Sequence, residues 1–281
     1  LVVLGAGQDA AAPQIGNSDD DGPRLTPSSL AAIDREAGAR FLFDATPAIT
    51  DQLRMLDGIE PPQSGLGIDG IFLTHAHIGH YLGLAWLGRE AAGASRVPVF
   101  AMPRMAEFLR TNGPWSQLVE LENIALMPLA DGELVPLTDN FGVWPIAVPH
   151  RDEYSETVGF LMMSPGKRAL YVPDIDSWAE LEEAGGPPLA QLLAMVDYAF
   201  LDATFWDDNE LPGRDMSAIP HPRVRATMDA LAELPAGERG KLHFIHYNHT
   251  NPIRDADSPE SREVAERGFH VARGGDRHCL D

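Results

Sequence analysis

The sequence predicts an α/β (α+β) chain: two mixed β-sheets packed face to face between outer helices, an αββα sandwich. Three observations carry this. Short apolar runs ending in Gly, Pro or Asp recur from the N-terminus onward, as buried strands do. The middle of the chain, residues 115–163, is mostly strand-like. The last third alternates strand and helix patterns, and this order of segments suits two sheets with helices outside them. With 281 residues, 44% hydrophobic and 22% charged, the chain suits one layered domain over 1–281 that buries its core without staples.

Residues 1–5, Leu-Val-Val-Leu-Gly, form the first buried strand. Residues 6–24 are rich in Gly, Asp and Pro and read as a long loop. Residues 28–33 and 40–43 pair as a hairpin about Glu36-Ala37-Gly38, and the second strand runs into Asp44. Residues 47–56 have a helical pattern with Pro at the start. A Pro/Gly linker, 61–67, leads to a strand at 70–74 and to the first turns of a helix at 81–87. Strand 97–101 and helix 104–110 follow. In the strand-rich middle, strands are expected at 121–124, 142–148, 158–163 and 169–172. Helices are expected at 178–184, 189–196 and 222–234, and strands at 198–201 and 242–245. Ser258-Pro259-Glu260 opens a last helix, with Ser as N-cap and Pro in the first turn.

Charge and cysteine content exclude several roles. Lys plus Arg number 21 against 42 Asp plus Glu, a formal charge of -21. So acidic a surface repels phosphate backbones, so nucleic acid is not an expected partner. No apolar run approaches the ~18 residues of a membrane span. Cys279 is the sole cysteine, which rules out an internal disulfide and a cysteine-rich zinc site. The chain begins at Leu1 without Met, which leaves a removed leader open, and with it a cytoplasmic or periplasmic location. The expected partner is a small-molecule substrate; the oligomeric state is left open.

The stretch that carries chemistry is Leu73-Thr74-His75-Ala76-His77-Ile78-Gly79-His80, in the turn from strand to helix. Side chains alternate along an extended chain, so His75 and His77 share one side, and His80 follows a tight turn at Gly79. Imidazole is a good ligand for zinc, iron, manganese or nickel. The alternative, a polar loop of ordinary histidines, makes little of three histidines in six positions. His150, Asp174 and His246 each follow an apolar strand pattern, and strand ends of one sheet edge can converge on a metal.

His75-Ala76-His77-Ile78-Gly79-His80 resembles the HxHxDH signature of the metallo-β-lactamase superfamily, with Gly79 where Asp usually stands. Val148-Pro149-His150-Arg151-Asp152-Glu153-Tyr154-Ser155-Glu156-Thr157-Val158-Gly159-Phe160 is similar to a stretch of the pyrroloquinoline-quinone biosynthesis B family. So are Val172-Pro173-Asp174-Ile175-Asp176-Ser177-Trp178 and His246-Tyr247-Asn248-His249-Thr250-Asn251-Pro252. That family carries a cysteine-rich zinc loop near its N-terminus. Here the loop reads Ile15-Gly16-Asn17-Ser18-Asp19-Asp20-Asp21-Gly22-Pro23 and has no thiol.

The resemblance implies the αββα sandwich and a site of one or two divalent metals per chain, with zinc expected and manganese or iron as alternatives. It implies His75, His77 and His150 on a first metal, Asp174 as a bridge, and His80 with His246 on a second. His249 is an alternative last ligand. Asp174 also reads as a helix N-cap. Asp44 is expected to orient a ligand histidine, with a plain turn aspartate as the alternative. Asp9 and Asp176 read as solvated or as supports for ligands. His221, in Pro220-His221-Pro222, resembles by position the general acid of the phosphonate-pathway phosphodiesterases; it also reads as a helix-entry residue. Arg151 suits an anionic substrate group unless Asp152 or Glu153 neutralises it. Trp115, Trp144, Trp178 and Trp206 read as core or pocket lining.

The function this implies is metal-dependent hydrolysis of a small ester, lactone or phosphodiester by metal-bound hydroxide, with Asp174 and His221 in the catalytic set. The alternatives are non-haem iron oxygenase chemistry in quinone cofactor biosynthesis and a metal or cofactor carrier without turnover. With Gly at position 79, the second metal is expected to lack a carboxylate ligand and to bind more weakly than the first. A Gly79→Asp exchange is then expected to raise metal retention, unless the new side chain clashes in the turn, where Gly79 is free to adopt a positive φ.

Overall fold

The computed structural model describes residues 1–281. Strands β1 (Val2–Gly5), β2 (Ser29–Asp34), β3 (Ala39–Phe43), β4 (Gly70–Phe72), β5 (Val97–Ala101) and β6 (Ile124–Pro128) lie side by side in chain order as a six-stranded sheet. Against it lie α1 (Ile49–Ile59), α2 (Ile78–Tyr81), α3 (Pro103–Thr111) and α4 (Trp115–Glu120). The second sheet has seven strands: β7 (Val135–Pro136), β8 (Gly142–Ala147), β9 (Val158–Met163), β10 (Arg168–Val172), β11 (Tyr198–Asp202), β12 (Leu242–Ile245) and β13 (His270–Val271). Their spatial order runs from β13 down to β7. Helices α5 (Trp178–Glu183), α6 (Leu189–Ala194), α7 (Val224–Ala230), α8 (Ala236–Arg239) and α9 (Pro259–Glu266) accompany this sheet. No helix is long and apolar enough to cross a membrane.

Side-chain alternation builds two cores from the first sheet. Phe41 and Phe43 of β3, Phe72 of β4 and Phe100 of β5 belong to the core shared with Phe160 and Tyr171 of the second sheet. Their neighbours Leu42, Ile71, Val99 and Ala101 belong to the other core, with Ile49 and Leu56 of α1 and Met105 and Leu109 of α3. This period of two is what a sheet buried on both faces requires. Phe72 stands at the centre of the shared core. Its ring lies 4.3 Å from that of Phe100, 5.3 Å from Phe43 and 5.6 Å from Phe160.

The topology also gathers strand ends. β3, β4 and β5 are mutually parallel, as are β10, β11 and β12. β1 is antiparallel to β2 and β2 to β3, so β1 points with β3. By the same count through β9, β8 points with β10. The residues that follow β1, β3 and β4 therefore leave their sheet at one edge, and so do those that follow β8, β10, β11 and β12.

Two expected elements take another form, and the short β7, α8 and β13 were not expected. Residues 115–120 form α4 rather than opening a strand-rich stretch, and the next strand begins at Ile124 rather than at 121. Trp115 and Leu118, three apart, are both buried, and Trp115 packs on Tyr81 and Phe108. The helix expected at 81–87 is a single α-turn, α2, followed by a 3-10 stretch at Leu82–Leu87. There Gly83 N–H donates to Ala45 O at 2.9 Å, and a Cβ on Gly83 would stand 2.1 Å from Thr46 O, so the segment is fitted tightly to the turn after β3. The last helix begins as expected, with Ser258 Oγ accepting from Ser261 N–H at 3.0 Å.

Phe72→Ala should lower the free energy of unfolding by about 3–5 kcal/mol, because it empties the centre of the shared core. Denaturant unfolding should show a lower midpoint at an unchanged slope. A midpoint within error of wild type would mean that the two sheets do not depend on this ring.

Candidate metal centre

Seven histidine and aspartate side chains from five chain segments meet at this edge. His75, His77 and His80 come from the segment after β4, His150 from beyond β8, Asp174 from just past β10, His221 from the approach to α7, and His246 from just past β12. His75 Nε2 lies 2.8 Å from His77 Nδ1, which lies 3.3 Å from His150 Nε2. Asp174 Oδ2 lies 2.9 Å from His80 Nε2, 3.0 Å from His246 Nε2 and 3.6 Å from His75 Nε2. Its Oδ1 lies 3.7 Å from His150 Nε2. Asp174 thus stands between a triad of His75, His77 and His150 and a pair of His80 and His246. It does not cap α5; Ser177 does, accepting from Glu180 N–H.

The hydrogen bonds behind the site fix which nitrogen of each ring faces it. Thr74 Oγ1 donates to Asp44 Oδ1 at 2.9 Å, so it accepts from His75 Nδ1–H at 3.0 Å. His80 Nδ1–H donates to Asp44 Oδ2 at 2.8 Å, and His150 Nδ1–H to Asp176 Oδ1 at 2.9 Å. Thr204 Oγ1 donates to Asp202 Oδ1 at 2.8 Å and accepts from His246 Nδ1–H at 3.1 Å. In each case Nδ1 carries a proton to its partner, and Nε2 is the nitrogen that faces the site. His77 is reversed: Nε2 lies 3.3 Å from Glu153 Oε2, and Nδ1 faces the centre. A partner behind each ring is the usual support of a metal-ligating histidine.

These acceptors fit a divalent cation. His80 Nε2, His246 Nε2 and Asp174 Oδ2 are buried and have no hydrogen-bond partner, although both nitrogens stand within 3.0 Å of that oxygen. Buried polar atoms without a partner are costly, and lone pairs crowded together repel unless a positive charge lies between them. A tetrahedral site with metal–nitrogen distances near 2.0–2.1 Å would set its nitrogens roughly 3.3 Å apart, close to the spacings of the triad.

The electrostatics agree. Burial, with His80 nearby, holds the His75 imidazole well below its ordinary range, and so neutral as a ligand must be. At His80 burial is outweighed by the carboxylates of Asp44 and Asp174, which push its pKa well above the ordinary value. The field there favours positive charge. Burial alone would raise Asp174, but His246, His80 and His75 hold it well below the usual carboxylate range. His221 stands beside the pair with Nδ1 2.7 Å from Asp202 Oδ2. Burial opposes its protonation, yet Asp202, Asp174 and Asp176 together raise it to about 9.

The backbone is strained where the site is assembled. Asp44, His221 and His246 have φ of +67°, +83° and +65°. Such conformations cost about 1–3 kcal/mol each for residues other than Gly, and they persist where surrounding contacts fix them.

Other residues singled out in the sequence fall differently. His249 is not brought to the cluster; its Nδ1 lies 2.8 Å from Asn248 Oδ1, so as an alternative ligand it is replaced by His246 on geometry. Arg151 lies 3.8 Å from Glu153, which leaves it partly neutralised. Trp115 and Trp206 are core, whereas Trp144 is exposed. Asp9, expected to be solvated or to support a ligand, is half-buried beside the cluster: its Oδ1 accepts from Gly79 N–H at 3.1 Å and lies 3.5 Å from His80 Nε2. Gly79 has no positive φ, and what a side chain there would meet is Asp9, with Oδ1 at 2.4 Å and Cα at 2.5 Å from its Cβ. The clash that was the exception to the expected gain from Gly79→Asp is therefore present, and it comes from Asp9 rather than from the backbone conformation of Gly79. Sequence reasoning also missed Asp202, which serves His221 directly and His246 through Thr204. Its signal was available: it ends a strand, as Asp44 and Asp174 follow theirs.

A model of the beta-lactamase superfamily domain matches residues 39–247. Coenzyme PQQ synthesis protein B of Ruegeria pomeroyi is 27% identical over 304 residues, covering 98% of this chain and 98% of its own length. The same protein of Pseudomonas fluorescens SBW25 is 29% identical, covering 89% of this chain and 86% of its own. Among solved structures, Zn(2+)-bound PqqB from Methylobacterium extorquens superposes with a TM-score of 0.78 at 22% identity, covering 98% of both chains. A diphosphatase of the PhnP family superposes with a TM-score of 0.66 at 22% identity, covering 98% of this chain and 94% of its own. With its two mixed sheets and flanking helices, this chain belongs to the beta-lactamase superfamily in its metallo-β-lactamase fold, and it is similar to the coenzyme PQQ synthesis B proteins along nearly all its length.

Proposed function

We propose that the edge site is a divalent-metal centre and that the chain is a metal-dependent hydrolase of a small ester, lactone or phosphodiester. The observation that carries this is the set of buried, unpartnered acceptors on His80, His246 and Asp174 beside the triad of His75, His77 and His150. The triad would hold one cation; His80 and His246 would hold a second, with Asp174 shared. Zinc suits the imidazole-rich set, and manganese or iron can occupy it too. When bound, such a cation polarises a substrate oxygen and makes a water ligand acidic enough to attack near neutral pH.

The chain's own residues do the rest. Asp44, Asp176 and Thr204 hold the rings of His80, His150 and His246 in one tautomer. His221, with Nδ1 tied to Asp202, keeps Nε2 as the nitrogen that exchanges a proton with substrate. Its raised pKa leaves it protonated at neutral pH, suited to giving a proton to a leaving oxygen. The acidic surface works against large polyanions, so a phosphodiester substrate would be small.

A second reading is favoured by the similarity to coenzyme PQQ synthesis protein B over 98% of the chain. On that reading the same ligands hold iron, and the chemistry is oxidative, in the making of a quinone cofactor. Iron recovered with the purified protein, together with oxygen uptake, would select it. Zinc or manganese with turnover of a phosphodiester, lactone or ester panel would select hydrolysis. Stoichiometric binding without product would leave a carrier.

His77→Ala should lower metal per chain and abolish hydrolysis, because it removes the ligand that joins His75 to His150. Metal content equal to wild type would refute the centre. His221→Ala should slow turnover by roughly 10²–10⁴-fold on substrates with poor leaving groups and much less on activated ones, which need no proton. Equal losses on both kinds, or no loss on either, would count against proton donation by His221.

A further inference from the structure

Position 79 leaves the histidine segment without the carboxylate expected between His77 and His80, and the structure shows what stands there instead. Asp9 arrives from the loop after β1 and fills the space that a side chain on Gly79 would occupy. Its Oδ1 accepts from Gly79 N–H at 3.1 Å and lies 3.5 Å from His80 Nε2. The ligand atoms of Asp9, His80 and His246 lie within 4.8 Å of one another. The Nε2 atoms of both histidines are buried and unpartnered, as is Asp174 Oδ2 beside them.

The loop is built to hold this placement. Gln8 N–H donates to Tyr247 O at 3.0 Å and Tyr247 N–H to Ala6 O at 3.1 Å, so the chain before Asp9 is paired to the residue next to His246. On the far side of the loop, Arg254 binds both oxygens of Asp20 at 2.9 Å and Pro23 O at 2.6 Å. Asp9 therefore approaches the pair of His80 and His246 on a fixed backbone.

We propose that Asp9 is the carboxylate ligand of the cation at His80, His246 and Asp174, supplied by the N-terminal loop in place of the one missing at Gly79. The proposal rests on the metal-centre reading above. A second carboxylate beside Asp174 brings the negative charge that a hard or borderline dication prefers, and it completes the shell that two neutral imidazoles leave open. Glycine at 79 is then required rather than permitted: a Cβ there would press on Asp9 Cα as well as on its carboxylate.

The test is Zn²⁺ per chain across a chelator titration of the full chain, with the absorption of the Co²⁺-loaded protein as a second readout. Wild type should hold two ions. Asp9→Asn keeps an oxygen for Gly79 N–H but loses the charge. It should weaken the second ion by more than the about 10–100-fold that follows from losing a supporting partner, and leave the first unchanged. The Co²⁺ spectrum should lose the second ion's contribution. Gly79→Ala, which leaves Asp9 in the sequence but displaces it, should do the same. Melting of the metal-free proteins separates loss of a ligand from loss of the fold. If one variant is unfolded without metal, the other decides. Two ions held by both variants with wild-type affinity would overturn the role of Asp9 and leave the metal centre standing. A wild type that binds no ion would overturn both.

Discussion

The carboxylate of Asp44 is the joint on which the site depends. It is buried at the end of β3 in a left-handed conformation, and its two oxygens bind four groups from two segments. Oδ1 accepts from Thr74 N–H and Thr74 Oγ1, each at 2.9 Å. Oδ2 accepts from His80 Nδ1–H at 2.8 Å and from Tyr171 O–H at 3.1 Å. Tyr171 belongs to β10, so one carboxylate ties the second sheet to the histidine segment of the first. A buried charge is tolerated when its hydrogen bonds are complete, and charge-assisted bonds are the strong kind. Loss of this group would free the ring of His80, the relay from Thr74 to His75 and the contact between sheets together.

Asp202 repeats the arrangement in the second sheet. It ends β11, accepts from Thr204 and from Ile175 N–H, and fixes His221 directly and His246 through Thr204 Oγ1. Asp44 and Asp202 thus stand behind the cluster from opposite sheets, each a strand-end carboxylate whose oxygens face protein donors. Asp174 is the contrast. It also follows a strand, but its Oδ2 lacks a donor and faces only imidazole nitrogens. Similar positions on neighbouring parallel strands serve two uses, and the number of protein donors reaching the carboxylate decides which.

Much of this was legible in the sequence. The apolar runs at 1–5, 97–101, 158–163 and 242–245 predicted strands because a strand buried on both faces needs apolar residues at consecutive positions. Ser258-Pro259 marked a helix start because a side-chain cap and a fixed φ are local properties. His75, His77, His80, His150, Asp174 and His246 stood out by residue type and by position after strand patterns, and the fold gathers all six at one edge. Residues 115–120 misled, because six residues carry too little period to separate a helix from a strand, and packing on Tyr81 and Phe108 decided it.

What only the tertiary structure decided is which side chains meet across distant segments. His246 and His249 stand three apart in one short stretch, and the turn after β12, with φ of +65° at His246, sends one to the cluster and the other to Asn248. Gly79 reads in sequence as a missing ligand. In space it is room for Asp9, 70 residues earlier, and no local pattern records that. The sequence by itself determined the donor chemistry, because residue type sets which atoms can bind a cation. The strand order determined the constellation, because convergence depends on the pairing of strands that are far apart in the chain.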